Sequence, residues 1–139
     1  MADVRILSST TQSVAASALK AQQHRMRLIA ENMANANSGA RDANGEPYRR
    51  QAPMFEPTRV GDGLGVRVSR IVEDQTPFKT EYAPGAPGAD ASGYLKMPNV
   101  DTLVEALDMR DAQRAYEANL GVIETSRSMD SRVLDLLKR

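Results

Sequence analysis

The sequence predicts an α+β chain: long N- and C-terminal helices packed as an antiparallel hairpin or coiled coil, with a small β-rich, Pro/Gly-rich middle domain. Three observations predict it. All seven prolines and eight of the nine glycines fall between Gly39 and Pro98, and these residues interrupt helices. The flanking stretches carry apolar residues at helical spacing. The middle alternates β-branched residues between turn dipeptides. The chain therefore divides into 1–38, a helix; 39–98, a β-rich segment; and 99–139, a second helix.

The first helix is read from Ser9 or Thr10 to Ala36. Ser8, Ser9, Thr10 and Thr11 offer caps, and Gln12 follows Ser9 by three residues as in a capping box. Ala15, Leu19, Gln22, Met26, Ile29, Met33 and Ala36 alternate spacings of four and three, with Gln22 the one polar member. That is a single helix face with coiled-coil-like periodicity.

The middle opens on Asn44-Gly45, a turn dipeptide. Tyr48–Phe55 reads as a short strand interrupted by Pro53. Gly61, Gly63 and Gly65 surround a turn at Asp62. Gly65–Asp74, with Val66, Val68, Ile71 and Val72, is the clearest strand. Phe78–Tyr82 reads as another. Pro84-Gly85 and Pro87-Gly88 mark a loop over Ala83–Gly93, and Gly93–Met97 is a short extended piece. A small hairpin or three-stranded sheet follows, too short to hold a core alone.

The second helix is placed from Asn99 or Asp101 to Leu137. Asn99 is read as its cap, Asp101 and Glu105 suit the first turns, and Lys138 and Arg139 suit the negative end of the helix dipole. Val100, Leu103, Val104, Leu107, Ala115, Ala118, Val122, Met129, Val133 and Leu136 recur at spacings of mostly three, four and seven. Met109, Tyr116, Leu120 and Ile123 form a neighbouring stripe. A helix apolar on two faces meets more than one partner. The segment would extend roughly 58 Å.

Composition agrees with a part built into something larger. Hydrophobic residues make up 41% of 139 residues, below the roughly 45–50% of globular domains. Trp is absent and many apolar residues are Ala, so burial against partner subunits is expected. Net charge is zero, which gives no clustered positive field for nucleic acid. Cys is absent, removing disulfides and thiol chemistry. No run of ~18 apolar residues forms a membrane span, and the first residues lack a secretory signal pattern.

No catalytic, cofactor-binding or metal site is expected. His24 is the single histidine, read as a surface helix residue, and the usual zinc ligand sets are missing. Ser17-Ala-Leu-Lys20 matches S-x-x-K without the companion elements of penicillin-recognising enzymes. Asp42–Gly45 lacks the later ligands of a calcium loop. Gly61, Gly63 and Gly65 do not make a dinucleotide fingerprint. Glu73-Asp74 reads as a solvated acidic pair. Tyr48 and Phe55 are too few aromatics among Arg49, Arg50, Arg59, Arg67 and Arg70 for nucleic acid, so interfacial pairing or solvation is expected of them.

Three blocks resemble the flagellar rod/hook axial protein family. The first is Ser17–Ser38, closing on Asn32-Met33-Ala34-Asn35 where the family has Asn-Leu-Ala-Asn. The second resembles a proximal rod member. It includes Gly65–Val68, Ile71–Asp74, Pro77–Lys79, Tyr82–Gly85, Gly93-Tyr94 and Pro98–Val100. Ala83 and Ala86 stand there in place of the family's usual Asp and His, with Pro and Gly still setting the turns. The third is Arg114–Asn119, with Met129 downstream.

The resemblance implies a non-enzymatic structural subunit of the periplasmic proximal rod of the basal body. Its terminal helices would form an inner axial domain, transmitting torque and lining the export channel, with the middle outside. Implied partners are copies of itself, other rod proteins, the basal-body adaptor protein and, during secretion without a cleaved signal, the flagellar type III export apparatus. Subunit packing is expected of Leu19, Met26, Ile29, Asn32, Met33 and Asn35 on the first helix. On the second it is expected of Leu107, Tyr116, Asn119, Val122, Ile123 and Met129. The Pro77–Val100 block argues against a different rod or hook member. A small adaptor or chaperone with a helical hairpin stays open, and an enzyme would need a convergent polar pocket.

Overall fold

The computed structural model describes residues 2–137. Two helices, α1 (Ala2–Ala34) and α2 (Thr102–Leu137), flank four strands: β1 (Gln51–Val60), β2 (Gly63–Glu73), β3 (Lys79–Tyr82) and β4 (Tyr94–Met97). The α+β class follows directly. Lys138 and Arg139 lie outside the described residues.

Helix α1 begins at Ala2, well before the expected Ser9 or Thr10. No Gly or Pro precedes Ser9, so nothing in the chain stops the helix from reaching back through the hydroxyl cluster. At its far end the helix stops at Ala34, and Asn35–Asn37 turn out of it, with Ser38 N donating to Asn35 O at 3.0 Å.

Helix α2 is capped by Asp101, not Asn99. Asp101 Oδ1 accepts from Leu103 N at 3.0 Å and Val104 N at 3.4 Å, satisfying two of the unpaired donors of the first turn. Asn99 is spent elsewhere, as described below.

Pro53 does not interrupt β1, which runs on through Pro57 to Val60. The two prolines are four residues apart, so their missing N–H groups fall on one edge of the strand. A two-stranded sheet leaves β1 such an unpaired edge. The middle holds two two-stranded sheets, β1-β2 and β3-β4: the expected hairpin is present as β1-β2, and the three-stranded alternative is not. Gly61, at φ 59°, begins the two-residue connection between β1 and β2. In the second sheet Lys79 lies opposite Met97 and Tyr82 opposite Tyr94. The two tyrosine rings meet edge to face at 5.4 Å.

Two successive turns carry the chain from β3 towards β4. Ala86 N donates to Ala83 O at 3.1 Å and Ala89 N to Ala86 O at 3.0 Å. These are the turns marked by Pro84-Gly85 and Pro87-Gly88, and they form with Ala83 and Ala86 in place. Ala40 N donates to Lys96 O at 2.9 Å, bringing the segment after α1 onto β4.

The chain forms two compact units, each drawing on both helices. The first contains α1 up to Arg25, Met54–Arg70, and α2 from Asp111. Among the residues whose burial is described, its buried positions are Ala15, Ala21, Ala112 and Ser126, all small. Gln12 of α1 donates to Ser126 Oγ at 3.3 Å and Asp130 Oδ2 at 3.2 Å on α2. Ser17 Oγ accepts from Val66 N at 3.1 Å, fastening β2 to α1. That approach demands glycine: a Cβ added at Gly65 would stand 2.4 Å from Ser17 Oγ.

The second unit contains Met26–Pro53 and Ile71–Arg110. It buries Leu28, Ile29, Ala36, Ala40, Pro98 and Val100 together with two polar residues, Asn32 and Glu105. Among the residues whose burial is described, only this unit buries large side chains.

Candidate functional site

Two features stand out: an exposed apolar stripe on α2, and a buried polar clamp in the second unit. The stripe comes from the helical period. In the first unit Val122, Met129, Val133 and Leu136 recur at intervals of seven, four and three, and all are exposed, Met129 at 62%. In the second unit Val104 and Leu107 (56% exposed) are exposed as well. Of the neighbouring stripe, Met109, Tyr116 and Ile123 are half-buried and Leu120 is exposed. Each large apolar side chain removed from water contributes about 1.5–3 kcal/mol. The outward stripe therefore holds a substantial driving force that the chain by itself does not use.

The clamp is built from the last turn of α1, the start of β1 and the first turn of α2. Asn32 Nδ2 donates to Gln51 O at 2.8 Å and to Glu105 Oε2 at 3.1 Å. Asn32 Oδ1 accepts from Tyr48 Oη at 2.8 Å and Gln51 N at 2.9 Å. All four hydrogen-bonding positions of the amide are filled. Glu105, 0% exposed, also takes Arg50 Nε at 2.5 Å. Arg50 extends to Asp108 Oδ2 at 3.1 Å and Asp74 Oδ2 at 3.8 Å. Asn99 closes the ring: its Oδ1 accepts from Arg50 N at 2.8 Å and its Nδ2 donates to Asp74 O at 2.9 Å.

The electrostatics follow this geometry. Burial alone would depress the Arg50 guanidinium, but the Glu105 hydrogen bond and the charges of Glu105, Asp108 and Asp74 hold it above its ordinary value. Asp74 sits below the usual carboxylate value, chiefly because Thr76 N–H donates to it at 2.9 Å, with Arg50 and Arg49 assisting. Burial, then the charges of Glu31, Glu105 and Glu73, push the Tyr48 phenol up.

The residues expected to pack subunits fall into three groups. Leu107, Val122, Met129 and Met33 are exposed. Leu19, Met26, Asn35, Tyr116, Asn119 and Ile123 are half-buried. Ile29 and Asn32 are buried within the chain itself. The three asparagines also separate. Asn32 bonds a strand and the other helix. Asn35 Nδ2 and Asn119 Nδ2 donate to carbonyls of their own helices, Glu31 O at 2.9 Å and Ala115 O at 2.7 Å.

Several clamp residues escaped the sequence reading. Arg50 passed as one of several basic residues and Asp74 as a solvated acid. The usable signal was a polar residue where the helical period calls for an apolar one: Asn32 beside Leu28, Ile29 and Ala36, and Glu105 seven residues before Ala112. Among the described residues no group of three or more His, Cys, Asp or Glu is placed to hold a metal. None of the described helices is long and apolar enough to cross a membrane.

Comparison with known proteins finds similarity along nearly the whole chain. The family described as "Flagellar basal body rod FlgEFG protein C-terminal" matches residues 91–136, which contain β4 and nearly all of α2. "Flagellar basal-body rod protein FlgC" of Agrobacterium fabrum is 42% identical over 132 residues, 94% of this chain and 95% of the relative. The protein of that name from Salmonella typhimurium is 42% identical over 88% of this chain and 92% of its own length. That from Bacillus subtilis is 36% identical over 91% of this chain and 95% of its own. Similarity at this level along nearly the whole length shows that the chain belongs to the FlgC family of flagellar basal-body rod proteins.

Proposed function

We propose that this rod subunit builds the proximal, periplasmic part of the rod by helix packing with copies of itself and with other rod proteins and the basal-body adaptor. In this reading α1 and α2 pair as an antiparallel hairpin and form the inner axial domain, and residues 39–98 form the outer one. The axial helices transmit torque as part of the drive shaft and line the export channel. The chain reaches this location through the flagellar type III export apparatus without a cleaved signal peptide.

One observation carries the reading. Among the residues whose burial is described, the first unit buries only Ala and Ser, yet its part of α2 exposes Val122, Met129, Val133 and Leu136 along one side. Small interior residues let helices approach closely but contribute little burial, so stability has to come from covering the outer stripe. Gln12 against Ser126 and Asp130, and Asn32 against Glu105, support the antiparallel hairpin, since low numbers on α1 meet high numbers on α2.

The test replaces the stripe, leaving the interior alone. The triple variant L107D/V122D/M129D is produced in a flagellated strain lacking its own copy of this subunit. Secretion should continue, rods should fail to complete, and motility should be lost. Normal motility with the triple variant in intact rods would sink the reading. Half-buried Asn35 and Tyr116 are proposed to serve the same packing, so N35L and Y116A should disrupt assembly without blocking secretion.

A further inference from the structure

Arg50 holds a position unlike the other basic residues. Glu105 is 0% exposed, and each of its carboxylate oxygens takes one donor: Oε1 from Arg50 Nε and Oε2 from Asn32 Nδ2. Glu105 lies in the first turn of α2, Asn32 near the last turn of α1, and Arg50 in the segment between the helices. Arg50 is itself placed by backbone contacts. Its N–H donates to Asn99 Oδ1 at 2.8 Å, and its carbonyl accepts from Asp74 N at 2.8 Å. The second contact joins the ends of β1 and β2, and the first ties Arg50 to Asn99, whose Nδ2 donates to Asp74 O just past β2.

We propose that Arg50 is a charge key that makes pairing of the two helix ends conditional on prior folding of the middle segment. If α1 and α2 met at Asn32 and Glu105 without Arg50, a carboxylate would be buried with one amide donor and no counter-charge. That arrangement is strongly disfavoured. With the ends of β1 and β2 in place, the guanidinium arrives at Glu105 and the contact becomes favourable. Apolar stripes at spacings of three, four and seven tolerate many helix partners and registers. A buried acid neutralised only from the folded middle rejects the pairings that form too early. The device concerns the chain's own folding and holds whether or not the outer stripe serves rod assembly.

The experiment is hydrogen exchange on the full-length chain at neutral pH, read at amides of residues 26–34 and 102–110. R50M should raise exchange there about a hundredfold or more. R50M/E105Q removes the stranded charge and keeps an acceptor for Asn32, and should bring exchange back to within tenfold of wild type. Wild-type exchange in R50M would overturn the proposal, because the helix ends would then pair without the key. Exchange in R50M/E105Q as fast as in R50M would also overturn it. Arg50 would then act through packing, not by neutralising Glu105.

Discussion

Asn32 Nδ2 donates to Glu105 Oε2 at 3.1 Å, and both residues are completely buried. The amide stands where α1 ends and the carboxylate where α2 begins. Tyr48 and Gln51 fill the remaining positions of the amide, so the junction of two helices and a strand rests on one side chain.

Substituting Asn32 should therefore be costly in a graded way. N32A leaves Tyr48 Oη, the Gln51 backbone and Glu105 Oε2 each short of a partner, at about 1–3 kcal/mol per stranded group. A total loss of about 3 kcal/mol or more is expected in urea unfolding. N32D should cost more than N32A at pH 7, because an oxygen then faces Glu105 and Gln51 O where a donor stood. Equal midpoints for the two variants would contradict this role.

The pH dependence has two limbs of opposite sign. Asp74 titrates below its ordinary 3.8 in the folded chain, so its contribution is present above that value and is lost as pH falls through the lowered one. Tyr48 titrates above its ordinary 10.0, so its contribution is present below that value and is lost as pH rises through the raised one. D74N should flatten the acid limb and Y48F the alkaline limb. Y48F should also cost about 1 kcal/mol at neutral pH for the lost hydrogen bond to Asn32.

Glycines separate by what surrounds them. A Cβ at Gly88 would fall 1.8 Å from Ala40 O, a backbone atom that cannot swing aside. G88A should lose at least about 2 kcal/mol, the scale of a forced backbone shift. Gly121 lies inside α2 with nothing within 4 Å of an added Cβ. G121A should stabilise the isolated chain by roughly 0.5–1 kcal/mol, because Ala loses less backbone freedom in a helix. Thermal melts of the two variants should shift in opposite directions.

The interiors of the two units predict a division within each helix. Among the residues whose burial is described, the first unit buries only Ala and Ser, whereas the second buries Leu28, Ile29, Val100 and the clamp. In the free chain, amides of α1 before Arg25 and of α2 after Asp111 should exchange at least tenfold faster than those at 26–34 and 102–110. Uniform protection along either helix would contradict this division.

Much of this architecture is legible in the sequence. Helix breakers confined to one stretch marked the two helices and the middle, because a missing N–H or an unrestricted backbone acts locally. The Pro84-Gly85 and Pro87-Gly88 turns were visible for the same reason. The two stripes of α2 were visible too, since their spacing follows from the helical period. The sequence did not say which stripe the chain buries itself. Tyr116 and Ile123 are half-buried and Val122 and Met129 exposed because Gln12 bonds α2 at Ser126 and Asp130.

Errors arose where the outcome depended on residues distant in sequence. Asn99 has the chemistry of a helix cap, but its side chain is held by Arg50 N, Asp74 O and Thr76, and Asp101 caps instead. Pro53 weakens a strand by local rules, and the free edge of a two-stranded sheet admits it. Arg50, Glu105 and Asn32 are separated by eighteen or more residues, and a charge pattern along the chain does not show which acid meets which base. The sequence alone determined where helices, turns and strands can form, because those preferences belong to each residue and its near neighbours. The tertiary structure decided which polar groups are buried together, because that depends on desolvation and partners brought from three distant segments.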